Sequence, residues 1–307
     1  MTALDAVIAQ TEQVVDSPAI GAILGGLLIL GAGLASLTFW WAYLAGQVKF
    51  PHRSFPLASP LPDEAAADGP ASSPPVPDAA PVPEGAPIPP AAYLMAVGWI
   101  AVVLTLKIAG GNAPPRELTA GQLILGLLME LGLQVLVYIV LLAALVSGPA
   151  GAPWKTRRLG KDLLVGLLGF IAAIGPVLMV MLMMKDQRTS ESEHQFLRIL
   201  RDADSTSVIG LICLSAAVIA PLSEELTYRV TLMGGAEQFF GRFPALIVSS
   251  VIFAAVHGFP DMVALLPLAL ILGWIYQTTR SYAAIVTTHA LFNAFNLGVV
   301  LLQTWLN

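Results

Sequence analysis

The apolar residues of this chain gather into eight long runs, near 19–44, 92–109, 121–147, 162–184, 206–232, 243–257, 261–278 and 282–305. A helix needs about 20 apolar residues to cross the hydrocarbon core of a bilayer. The runs predict an all-α, polytopic transmembrane helical bundle of about eight spans. The sixth and seventh runs are short, so those helices tilt or stop partway through the membrane. Charge agrees: Asp, Glu, Lys and Arg make up 11% of the 307 residues, against about a quarter in a soluble domain. No basic stripe points to nucleic acid. The single cysteine, Cys213, lies inside an apolar run. It rules out an internal disulfide framework and reads as a small buried hydrophobe.

Composition also divides the chain. Residues 1–50 hold the first span. No Lys or Arg precedes Lys49, whereas Asp5, Glu12 and Asp16 precede the first apolar run. A cleaved signal has the reverse order, so the run is expected to stay as a transmembrane helix. Residues 51–90 are Pro, Ala, Ser and Asp with few large apolar groups. Such a segment buries too little surface to offset its ordering entropy, and it reads as a disordered linker, partly polyproline II. Residues 91–205 carry further spans, then a polar stretch from Thr189 to Ser205. Phe196, Ile199 and Leu200 at helical spacing suit either an interfacial helix or a loop there. Residues 206–307 form the last unit. The cluster Lys155, Arg157, Arg158 and Lys161 beside Lys49 and Arg53 places the linker inside and both termini outside.

The last hundred residues break the apolar pattern. An ionisable residue at the centre of a membrane helix costs roughly 2.5–3.5 kcal/mol on insertion scales. Yet Glu224, Glu225 and Arg229 fall in the fifth run, His257 ends the sixth, and His289 and Asn293 lie in the eighth. Glu225 and Arg229 are four apart and share a helix face, acid first, so they can pair. Glu224 is turned by about 100° from its neighbour, free to face a cavity. His289 and Asn293 also project side by side. Pro221 lacks an N–H and is expected to kink the helix beside Glu224. Singly, each feature has a plain reading: a structural ion pair, a packing histidine, an asparagine joining helices. Six on three helices would need a separate reason for each.

A carboxylate and an imidazole near one water can activate it. A second imidazole and an amide can donate to an oxyanion. That set hydrolyses an amide or ester. Glu224, His257 and His289 equally suit zinc or another divalent metal with an open position, and the residues leave metal-bound and metal-free water both open. There is no His-Glu-x-x-His run. Ser223 lacks the Gly-x-Ser-x-Gly setting of a nucleophile.

Glu224-Glu225-x-x-x-Arg229, Phe253-x-x-x-His257 and His289-x-x-x-Asn293, with Pro221 before the acids, resemble the motif series of the CPBP intramembrane proteases, which group the CAAX-prenyl endopeptidases with bacteriocin-processing and immunity-type (Abi) proteins. The resemblance covers about Ser207 to Asn307. It implies a membrane-embedded endopeptidase, with Glu224 as general base and His257 its partner on the water. His289 and Asn293 would stabilise the oxyanion, and Glu225 and Arg229 would support the site. It implies a multi-pass protein of a bacterial cell membrane whose partners are a membrane protein or peptide substrate and the lipid bilayer. The alternatives are a non-catalytic scaffold or immunity-type protein on the same fold, or a proton-coupled transporter. Transporters are commonly built from repeats, and the sequence shows none.

Overall fold

The computed structural model describes residues 18–48, 88–110, 120–147, 152, 154, 159–187, 199–200 and 205–305. These form helices and no strands. Seven described helices are long and apolar enough to cross a membrane, and an eighth, Arg242–Ala255, is shorter. In chain order they are α1 (Pro18–Leu44), α2 (Pro90–Gly110), α3 (Ala120–Val146), α4 (Leu159–Met183), α5 (Thr206–Phe240), α6 (Arg242–Ala255), α7 (Asp261–Thr279) and α8 (Tyr282–Trp305). The all-α polytopic bundle expected from the apolar runs is the observed architecture. Of the linker expected at 51–90, residues 51–87 lie outside the described residues and Pro90 already opens α2; most of the polar stretch Thr189 to Ser205 also lies outside them.

The core is built where small residues let helices meet. α4 packs along α8, and Gly166 and Gly169 make the approach close. A Cβ on Gly166 would strike the Thr287 side chain and the Ala284 carbonyl, and one on Gly169 would strike Thr288 and Ile275. In lipid, where the solvent is as apolar as the side chains, this close packing and hydrogen bonding hold helices together. Thr288 supplies the hydrogen bond, its Oγ1 donating to the Gly166 carbonyl at 2.9 Å. α1 joins the same layer: Trp40 Nε1 donates to the Ala172 carbonyl at 2.9 Å, and Ser36 fills the space above Gly175.

α6 and α7 form an antiparallel hairpin beside α5. Its open end is tied by Gln277, whose Nε2 donates to the Arg242 carbonyl at 2.6 Å, and by Arg242 donating to the Gln277 carbonyl. Arg280 stops α7 in a left-handed conformation (φ 54°) and pairs with Glu237 near the end of α5. At the closed end Gly258 takes φ 79°, a region that favours glycine. At 14 residues and about 1.5 Å per residue, α6 is too short to cross. The turn, and His257 with it, therefore stops within the bundle.

Candidate active site

α5 carries the acids in an irregular stretch. Two π-helical segments, Ser215–Ile219 and Leu226–Met233, flank the α-helical Ala220–Glu225. Pro221 explains the first. Ala220 N–H reaches back to the Ser215 carbonyl, five residues away. In that register the donor for the Ala216 carbonyl would be Pro221, which has no N–H. Asn293 of α8 fills the gap, its Nδ2 donating to the Ala216 carbonyl at 2.8 Å. The expected kink is thus taken up by a π turn, and the asparagine satisfies the orphaned carbonyl. Extra turns of this kind recur at functional sites.

The two acids have different surroundings. Glu225 is wholly buried. Its Oε1 accepts from Arg229 Nη1 at 3.2 Å and from His289 Nδ1 at 2.7 Å. Arg229 is also wholly buried; its Nη2 donates to the Ala269 carbonyl at 3.3 Å and its guanidinium lies 4.0 Å from the centre of the Phe253 ring. The predicted ion pair is present, and it is a buried lock that also holds a histidine. The Glu224 side chain keeps 28% exposure, and its Oε2 lies 3.8 Å from His289 Nε2. The imidazole therefore stands between the two carboxylates.

His257 follows the last turn of α6. That turn tightens: His257 N–H bonds the Ala254 carbonyl, which frees the Phe253 carbonyl, and the ring takes it through Nδ1 at 2.8 Å. This bond puts the proton on Nδ1 of a neutral ring, leaving Nε2 with the lone pair. Phe253 is the organiser that motif reading undervalues. Its buried ring packs on His257 (4.9 Å between centroids), His289 (5.7 Å), Tyr228 (5.3 Å) and the Arg229 guanidinium. Tyr282 is a second addition, donating through its hydroxyl to the Leu222 carbonyl at 2.6 Å. All six sequence-selected residues thus lie on α5, on α8 and at the α6 turn.

Glu224, His257 and His289 are the residues that the sequence offers as ligands for a divalent ion. Among the described residues no three His, Cys, Asp or Glu side chains gather as a metal-binding group. Nδ1 of each imidazole is committed, His289 to Glu225 and His257 to the Phe253 carbonyl, an arrangement that would leave ligation to Nε2. As placed, the three side chains do not form such a group, and no step below runs through a metal.

Residues 206–295 match the family model described as type II CAAX prenyl endopeptidase Rce1-like. Residues 206–295 are thus similar to a protease domain of that family, in agreement with the CPBP resemblance. The match begins with α5 and ends within α8, so it encloses every candidate site residue and leaves α1 to α4 outside. No curated protein and no solved structure matches the chain.

Proposed function

We propose that this protein is an intramembrane endopeptidase in which Glu224 activates a water for attack on a peptide carbonyl. The observation that carries the proposal is the split between neighbouring acids: Glu225 is locked by Arg229 and His289, while Glu224 stays partly open beside His289. A carboxylate spent on an ion pair cannot take a proton; an open one can. His257, held in one tautomer by Phe253, presents Nε2 as the water's second acceptor. His289 donates to Glu225 through Nδ1. Protonated, it also offers Nε2–H to the oxyanion, and Glu225 stabilises that imidazolium. Asn293 spends one amide hydrogen on Ala216 and retains a second for the oxyanion. Glu224 then returns its proton to the leaving amine, which balances the hydrolysis.

The substrate in this reading is a membrane peptide or protein, and the prenylated CAAX chemistry of the family's name is not carried over to it. The test is cleavage of a membrane-peptide library by the purified protein in detergent, beside Glu224→Ala and His257→Ala. The expected result is cleavage by the wild type and none by either folded variant. Cleavage undiminished in Glu224→Ala would overturn the mechanism. Loss of activity on chelation, with recovery on adding zinc, would overturn the metal-free water.

A further inference from the structure

α3 crosses the membrane with a polar stripe that the hydrolysis does not use. Glu130, Gln134 and Tyr138 are spaced i, i+4, i+8, so they share one face of an otherwise apolar helix. That face is turned to the site. α3 packs against the Ser215–Met233 part of α5, and Tyr138 is hydrogen-bonded to Tyr282, whose hydroxyl holds the Leu222 carbonyl. One turn along, Gln134 Nε2 points at Glu130 Oε1 (3.5 Å), while Gln134 Oε1 is buried and accepts no hydrogen bond. An unpartnered buried acceptor is costly, and its presence on the α3 face that packs on the Ser215–Met233 part of α5 calls for a donor from a ligand.

α2 adds a cation at the same level. The ring of Tyr93 occupies the space a Cβ on Gly235 would fill, which fixes the register of α2 on α5. Ile100, Val103 and Leu104 then pack with Tyr228, Leu232 and Phe253. Lys107 lies one turn beyond Val103 and Leu104 on that face, and Glu224 one turn before Tyr228. The packing therefore brings the ammonium toward the open acid. Lys107 is within electrostatic reach of both Glu224 and Glu130. Lys107 and Glu130 are both exposed, Lys107 in the last turn of α2 and Glu130 near the middle of α3, where a bilayer would put hydrocarbon against it. Charges inside spans generally face a protein interior or a water-filled cavity, and Glu130, with Lys107 in reach of it and of Glu224, calls for one here.

We propose that the α2–α3 face is a hydrated portal to Glu224, where Gln134 Oε1 accepts a main-chain N–H from an extended segment of the peptide substrate and Lys107 and Glu130 keep the opening wet. The identity of the occupant rests on the peptidase reading above; the water does not. Extended backbone is the fitting ligand because a peptide must leave its helix to be cut, and its freed N–H groups then need acceptors.

Two measurements test it. In a Cys213→Ala background, single cysteines at Lys107, Glu130 and Met129 are treated with a charged methanethiosulfonate reagent. Met129 neighbours Glu130 and is 66% exposed on the lipid side. Lys107→Cys and Glu130→Cys are expected to react quickly and Met129→Cys slowly. Equal, slow reaction at all three would overturn the portal whether or not the protein is a peptidase. In cleavage assays, Gln134→Leu is expected to raise KM about tenfold with kcat changed less than about threefold, the worth of one buried hydrogen bond to substrate. Gln134→Glu, which keeps an acceptor, is expected to stay near wild type. An unchanged KM in Gln134→Leu, or a fall in kcat alone, would overturn the binding role. Rapid labelling without Glu224-dependent cleavage would keep the portal and remove the peptidase reading.

Discussion

Glu224 and Glu225 share one chemistry, and a rotation of about 100° around the helix axis gives one a partly exposed edge and the other an ion pair. The i, i+4 spacing of Glu225 with Arg229 made that division readable in the sequence. What the spacing could not show are the partners with no side-chain signature: the Phe253, Ala216 and Ala269 carbonyls, each reached across or along helices. Arg229 shows how demanding such a position is. It meets a carboxylate, a carbonyl and an aromatic face at once, which a planar fork does and an ammonium does not. Arg229→Lys is therefore expected to lower thermal stability in detergent by several degrees, an Arg-specific loss that denaturation curves would reveal. Asn293 and Pro221 make a sharper pair. Asn293→Ala strands the Ala216 carbonyl and is expected to cost about 0.6–1.7 kcal/mol. Pro221→Ala restores an N–H that can serve the same carbonyl, so Asn293→Ala should cost less in that background. A double-mutant cycle that proves additive would refute the link.

At the scale of elements, the eight apolar runs became eight helices, and the shortness of the sixth became the hairpin turn that holds His257 inside the bundle. The irregularity of α5 was only half legible. Pro221 announced a break, but nothing in the apolar pattern distinguishes a kink from a π turn, because the choice depends on whether α8 supplies a donor. The run expected to end near residue 232 also continues to Phe240, since Glu237 finds Arg280 across the bundle. The glycines of α4 set the position of α8, and α8 carries His289. Gly166→Ala puts a methyl group against the Ala284 backbone. It is expected to cost about 1–3 kcal/mol and, by shifting α8, to reduce turnover as well. Unfolding and cleavage measured on one preparation would show both changes, and a variant of normal stability would contradict the packing argument.

For the molecule as a whole, the family match covers the helices that carry the candidate site residues, and the other helices pack around them. α1 docks on α4 and α8 through Trp40 and Ser36 and does not act as a loose anchor. Trp40→Phe is expected to weaken it by about 0.5–1.5 kcal/mol, one lost hydrogen bond, visible as a lower midpoint of thermal unfolding. α2 brings Lys107 within electrostatic reach of Glu224, and α3 sets Glu130, Gln134 and Tyr138 along one face. The stripe on α3 was present in the sequence as three polar residues at helical spacing, but its meaning required knowing which helix it faces. The central claim is that adjacent acids divide catalysis from structure. The most direct test compares Glu224→Gln and Glu225→Gln for peptide cleavage per folded molecule, alongside thermal unfolding. The account predicts that Glu224→Gln unfolds like the wild type and cleaves nothing, whereas Glu225→Gln unfolds at a clearly lower temperature. Full cleavage by Glu224→Gln, or wild-type stability in Glu225→Gln, would contradict it.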